Sequence, residues 1–246
     1  MTTGLSYDGT VSGTTSYLTQ ISTMAVVDVT DPNFINILPQ MITFAENRIY
    51  RDVDFLFTSI ATTAYSLTVG SRDLIVPAGT FVVPEQINVL TPVGVTNPDA
   101  ATRNPLLPTT KEFLDAVYGS YLYPGLPKYF CPFDDYHFIV GPYPDQSYTV
   151  EIIGTYRPDS MSATNLTTFI SLYLPDLFIM ASMIYIAAYQ RNFSSAMGND
   201  PQMPVTYETQ YQALLKSALS EEERKKFQAA AWSSQGPAPI ATPTRG

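Results

Sequence analysis

AYSLTVGSRDLIVPAGTFVVPEQINVLTP, residues 64–92, is the stretch whose pattern decides the architecture. It breaks into AYSLTV, RDLIVP, TFVVP and EQINVLTP, parted by Gly70-Ser71, Ala78-Gly79 and Pro84. Short runs rich in Val, Ile, Tyr and Thr that alternate in polarity between turn residues predict antiparallel strands. Strands resume downstream at KYFC, YHFIVG and SYTVEIIGTYRP, with Asp134-Asp135 fitting a hairpin turn and Pro142, Pro144 and Asp145 another. A small helix interrupts them in TTKEFLDAVYG, where Thr109 and Glu112 are spaced as a capping box and Gly119 follows as a stop.

On both sides of this block the period changes to that of helices. SYLTQISTMAVV places Leu18, Ile21 and Ala25 near helical spacing. In DPNFINILPQMITFAENRIYRDVD, Asp31 can cap and Pro32 can occupy the first helical position. Pro39 lacks an N–H, which predicts a break there and a longer helix from about Pro39 to Asp52 with Met41, Ile42, Ala45, Ile49 and Val53 as its apolar stripe. Helices return from about Pro175 to Asn192 and from about Tyr207 to Ala231, the last with Tyr207, Tyr211, Leu214, Leu215 and Ala218 on one side before a solvated EEERKK.

The expected fold is therefore α+β: a discontinuous, bundle-like helical domain with an inserted antiparallel, sandwich-like β domain and an extended C-terminal tail. The boundaries read as 1–58 and 161–231 for the two helical parts, 59–160 for the β domain with its small helix near 109–118, and 232–246 for the tail.

Composition narrows the function. With 45% apolar residues the chain has an ordinary globular core. Thirteen basic against 22 acidic residues give a net charge of −9, and residues 1–170 hold 7 Lys/Arg against 16 Asp/Glu. Such a balance disfavours tight or sequence-specific nucleic-acid binding, because a phosphate-gripping face is basic. Cys131 is the single cysteine, so no internal disulfide forms, and MTTGLSYDGT lacks the basic and apolar regions of a signal peptide, which points to a reducing cytosol. LFIMASMIYIAAY, residues 177–189, is shorter than the roughly 20 residues a membrane span needs and reads as a buried helix.

Chemistry is sparse. His137 is the only histidine, which excludes a two-histidine metal or acid–base site within one chain. A hydrolase would have to use Cys131 with His137, six residues apart, without any flanking nucleophile signature. Asp52 with Asp54 and Asp134 with Asp135 are two-carboxylate clusters, short of the 6 to 8 oxygens calcium takes. Phosphate-loop, dinucleotide and nucleophile-elbow glycine motifs are missing, so the chain is not expected to be an enzyme and no cofactor or metal is called for. Tyr121, Tyr123, Tyr129, Tyr136 and Tyr143 raise a carbohydrate- or receptor-binding module as the alternative. The helix around AENRIYRDVD carries Glu46, Arg48, Arg51, Asp52 and Asp54, which fit equally a solvated face, with Arg48 and Asp52 as an i,i+4 pair, or arginines bridging to carboxylates of a neighbouring subunit.

LPQMITFAENRIYRDVDF (38–55), INVLTPVGVTNPDAATRNPLLPTTKEFLDAVYG (87–119), IVGPYPDQSYTVEIIGTYRPDSMSATNLTTFISLYLPDLFIMASM (139–183) and YQALLKSALSEEERKKFQAAAWSSQGPAPIATPTR (211–245) resemble the head-to-tail adaptors of tailed bacteriophages. Within them the chain is most similar to the tail tubular protein A, or gatekeeper-like, adaptors of short-tailed phages. The resemblance implies a structural virion protein at the head–tail interface, made in the host cytoplasm. It implies a homo-oligomeric ring, a dodecamer, docked beneath the portal protein. The ring's other end is offered to the nozzle or tail tubular protein, with tail fibres as a further partner. Genome DNA passes through such a ring without specific binding.

In related adaptors a C-terminal segment packs along the portal, and the matching positions here run from about Phe227 to Arg245. Trp232 and Ile240 are the anchors expected of it, Arg245 its terminal ion pair, and Pro237, Pro239 and Pro243 favour an extended arm that reaches roughly 40 Å at about 3.1 Å per residue.

Overall fold

The computed structural model describes residues 4–95, 97–135, 137–193 and 203–231. In chain order the elements are β1 (Gly4–Ser6), β2 (Thr14–Ser16), α1 (Tyr17–Ala25), α2 (Pro32–Asp52), β3 (Ser59–Ser66), β4 (Asp73–Ile75), β5 (Val83–Thr91), β6 (Thr102–Pro105), β7 (Leu107–Pro108), α3 (Lys111–Tyr118), β8 (Tyr129–Pro132), β9 (His137–Gly141), β10 (Thr149–Thr155), α4 (Phe169–Tyr173), α5 (Pro175–Phe193) and α6 (Met203–Ala231). The class is α+β. The chain forms two compact units, one from Phe57–Pro158 and the other from the segments on either side of it.

The Phe57–Pro158 unit contains two four-stranded sheets, ordered β3-β10-β5-β6 and β4-β9-β8-β7. Leu74, Phe138 and Val140 from one sheet, with Val76 just past β4, meet Ile87, Val89, Val150 and Ile152 from the other in a single buried cluster. Consecutive β9 and β10 thus belong to different sheets, and the Pro142–Asp145 segment connects the layers. β8 and β9 form the expected hairpin, with Cys131 opposite Ile139. Three expectations are corrected. TFVVP is not a strand of its own, since β5 begins only at Val83. The second sheet is mixed, because β7 runs parallel to β8. The cap of α3 is Thr110, whose hydroxyl accepts from the Phe113 N–H, and not Thr109. Gly119 is the C-cap of α3 as expected, in a right-handed conformation, and a Cβ there would lie 2.3 Å from the Asp115 carbonyl oxygen, so the position suits glycine.

The other unit is helical, with the short parallel pair of β1 and β2 beside it. Asp31 caps α2 as expected, its carboxylate accepting from the Asn33 and Phe34 N–H groups. The predicted break at Pro39 does not occur, and α2 runs unbroken from Pro32 to Asp52. Pro39 and Ile35, the residue whose carbonyl loses its partner, are both exposed, so water can satisfy that oxygen. Phe34, Leu38, Met41 and Ile42 are buried on both sides of the proline in sequence and hold both halves in one line. In α5, Leu177, Phe178, Ala181, Met183 and Ile186 are buried, as a core helix requires. Tyr17 stacks on Phe178 with ring centroids 4.9 Å apart and donates to the Ser182 hydroxyl at 2.8 Å. Among the described residues no helix is long and apolar enough to cross a membrane.

Helix α1 stops at Val26, a β-branched residue held at φ 54 and ψ 42. Its side chain is 91% exposed, so no packing offsets the left-handed strain. Val26→Gly is expected to raise unfolding free energy by about 1 kcal/mol, the cost of the left-handed region for a residue with a Cβ. Urea denaturation followed by circular dichroism checks this, and an unchanged or lower midpoint contradicts it.

Candidate functional site

Polar side chains in the helical unit converge on the seam between α2 and α6. Arg48 donates to Glu208 Oε1 at 2.6 Å and its Nε lies 3.7 Å from Asp52. Its guanidinium carbon sits 4.3 Å from the centroid of the Tyr211 ring, and the Tyr211 hydroxyl in turn donates to Asp52 Oδ2 at 2.7 Å. The hydrogen bond from Arg48 holds the Glu208 carboxyl below its ordinary range. Asp54 pairs with Lys226, farther along α6. Three of the four residues considered for a subunit contact are thus engaged inside their own chain. Arg51 is exposed and, among the described residues, has no ion-pair partner.

Two carboxylates mark the points where the chain leaves and re-enters this unit, and both correct the expectation of a solvated position, Glu46 in AENRIYRDVD and Glu222 in EEERKK. Glu222, on α6 and 5% exposed, accepts from the Leu56 N–H at 3.1 Å and from Lys225 at 2.7 Å. Glu46, on α2 and fully buried, accepts from the Met161 N–H at 3.0 Å and from the Thr168 hydroxyl at 2.8 Å. Burial pushes the Glu46 carboxyl up, against hydrogen bonds from Thr168, Met161 and Ser160 that favour its ionised form. Thr168 is also the N-cap of α4, in a capping box with Ser171. The available signal was Glu46's position beside Ala45 in the stripe that includes Ile42 and Ile49.

Of the proposed docking tail, Phe227 lies on α6 and is 37% exposed. Trp232, Pro237, Pro239, Ile240, Pro243 and Arg245 lie outside the described residues. Cys131 is buried with Leu114 and Ile139, and burial raises its thiol pKa, the reverse of what a nucleophile needs. His137 Nδ1 lies 2.9 Å from both oxygens of Asp134, the hairpin residue whose carboxylate also takes the His137 N–H. No group of three or more His, Cys, Asp or Glu is placed to hold a metal among the described residues. Of the tyrosines, Tyr129 packs against Phe113 and Tyr118, and Tyr121 meets Tyr143 edge-on. Tyr121 and Tyr123 are exposed, while Tyr136 lies outside the described residues.

The arrangement is one of joints and seams. A profile of the SU10 adaptor protein family matches residues 15–239, across both units. The chain belongs to the SU10 adaptor protein family. It is accordingly a bacteriophage structural adaptor, a class located at the head–tail region of the virion and in contact with portal and tail components. No curated protein matches the chain.

Glu46 yields a test with a defined sign. Its folded pKa is raised, so the folded state holds a proton more tightly than the unfolded chain, whose value is near 4.5. The associated stabilisation is complete below that value and is lost as pH rises through the folded pKa. Glu46→Gln, which mimics the protonated acid, is expected to remove that slope and to stay within about 1 kcal/mol of wild type at pH 7. Glu46→Ala, which strands the buried Met161 N–H and Thr168 hydroxyl, is expected to cost about 3 kcal/mol. Urea midpoints from pH 4 to 8 (~4 units) decide, and equal losses in both variants contradict the reading.

The Arg48 seam gives a second test. Arg48→Lys keeps the charge but loses the planar group over Tyr211 and the simultaneous reach to Glu208 and Asp52. A loss of about 1 kcal/mol is expected, with Arg48→Met no worse than about twice that. Chemical denaturation at low and high salt measures both.

Proposed function

We propose that the protein is a ring-forming head-to-tail adaptor of the tail tubular protein A or gatekeeper-like kind. It docks under the portal, joins it to the nozzle or tail tubular protein and lines the DNA channel. The observation that carries this reading is the SU10 adaptor family match over residues 15–239. The narrowing to short-tailed phages rests on the resemblance of the four stretches quoted above.

Copies assemble as a dodecamer on the portal after synthesis in the host cytoplasm, and tail fibres are a further contact of the completed junction. The C-terminal end of α2 with Arg48, Arg51 and Asp52, and Asp54 just beyond it, faces the neighbouring copy, where exposed Arg51 meets a carboxylate while the other three keep their partners within the chain. The C-terminal segment from about Phe227 to Arg245 packs on the portal, anchored by Trp232 and Ile240, and ring repetition supplies avidity that one segment lacks. The excess of 16 Asp/Glu over 7 Lys/Arg in residues 1–170 supports a channel that repels phosphate and so lets DNA slide.

Purified portal mixed with full-length protein, and with a chain ending at Ala231, tests the proposal by cryo-electron microscopy. Only the full-length chain should decorate the portal, as a closed ring with residues 232–246 in portal grooves. Equal decoration by both chains removes the tail from the mechanism. Failure of both to bind removes the portal.

A further inference from the structure

Sheets expose their outermost strands, and the sequence of each edge shows whether it is protected against pairing. Three of the four edges in the Phe57–Pro158 unit are protected. β4 has three residues and includes Asp73, and β7 has only two, Leu107 and Pro108. β6 has four, TRNP. The Leu106 N–H bonds to the Ile87 carbonyl, and alternation along β6 then turns Arg103 and Pro105 outward. Pro105 has no N–H to offer.

β3 lacks every such device. It is eight residues long, SIATTAYS, with no charge and no proline, and among the described residues only β10 is paired with it. The Tyr156 N–H bonds to the Thr58 carbonyl at one end and the Leu67 N–H to the Tyr148 carbonyl at the other. Between them β3 carries one extra residue, since Tyr65 pairs with Val150 but Thr62 pairs with Ile152. Alternation from each end therefore turns the main-chain groups of Ser59 and Ala61, then those of Ala64 and Ser66, away from β10. All four residues are exposed. The Ala64 N–H is turned onto the Thr62 hydroxyl at 3.3 Å, the local substitute for a missing strand.

The spacing of these outward positions, 59, 61, 64 and 66, reads the same in both directions. A regular strand cannot match its central three-residue step, whereas a second β3 running antiparallel does so at every position. We propose that β3 pairs with β3 of a second copy about a two-fold axis centred between Thr62 and Thr63.

Ser59 then faces the partner copy's Ser66 and Ala61 faces its Ala64 as hydrogen-bonded pairs with small side chains. Ile60 faces Tyr65, and Thr62 faces Thr63, an aromatic–β-branched pair and a Thr–Thr pair of the kinds that stabilise neighbouring strands. No like charges meet anywhere along the contact. A two-fold contact closes on itself, so it makes a dimer of the free protein and stops there. The inference uses the sheet alone and does not depend on the adaptor reading.

The test is sedimentation of the full-length protein over a range of concentrations, with wild type beside Ala61→Lys and Ala61→Pro. Both substitutions are at an outward-facing main-chain position, so the bonds to β10 are retained, and an unchanged melting temperature verifies the fold. Wild type is expected to show a monomer–dimer equilibrium that each variant weakens at least about tenfold. Register is read separately with Ala61→Cys/Ala64→Cys, whose oxidation should give a disulfide-linked dimer, while Ala61→Cys/Ser66→Cys should link far less. A wild type that stays monomeric at every concentration overturns the proposal, as does a dimer that both folded variants retain.

Discussion

A carboxylate with no exposed surface, that of Glu46, sits where the chain returns to the helical unit. Its partners there are a main-chain N–H and a hydroxyl, from Met161 and Thr168. An apolar side chain at this position would fill the space but leave those donors without acceptors. Leaving a buried donor unsatisfied costs more than a made hydrogen bond contributes, so the carboxylate is worth most by what its absence would expose. Because Thr168 also caps α4, the same acid sets the start of the next helix. Glu222 does the corresponding work for Leu56 on the outward crossing. Within the helical unit, Leu56 is thereby held by α6 and Met161 by α2.

The α6 contacts lie along one side of the helix. Glu208, Tyr211, Leu215, Ala218, Glu222 and Lys226 follow one another at steps of three and four, the spacing of one helical face. Tyr211, Leu215 and Ala218 are buried, while Glu208, Glu222 and Lys226 bond to Arg48, the Leu56 N–H and Asp54. Apolar packing alone tolerates a slide of one helix along another. Directional bonds to Arg48, Leu56 and Asp54 do not, because a one-turn shift of about 5.4 Å would break them all. The seam therefore sets register, even though its exposed ion pairs contribute little to stability.

How much of this was legible follows from the range of each signal. Asp31 and Pro32 are neighbours of the helix they start, so that cap could be read directly. Pro39 pointed to a break that tertiary packing overrode, since propensity says nothing of which face a proline will occupy. β1 and β2, three residues each in a Gly/Ser/Thr-rich leader, and the five-residue α4 are too short to show a period. The division of strands into two sheets depends on pairing between distant segments, which alternation does not encode. Glu46 was hidden because a charge in an amphipathic helix is ordinarily on its wet side. Arg48 and Asp52 were recognised as a pair, but Glu208 and Tyr211, roughly 160 residues away, completed it at a separation no local pattern reaches.

The same pairing alters the meaning of the net charge. Thirteen basic residues set against 22 acidic ones describe the whole sequence, not its field. Arg48, Arg72, Arg103, Lys111, Lys225 and Lys226 each have a carboxylate partner within the chain. A guanidinium held in this way is poorly placed to take a phosphate, because its donors already point at an acid. Arg103 is the clearest case, with Nε and Nη2 both on the nearly buried Glu151. Acidic residues outnumber basic ones, and phosphate binding is disfavoured both by the shortage of cations and by the positions of those the chain has. In the channel-lining role proposed above, that is the property required: tight seams within the chain, and little grip on a phosphate backbone.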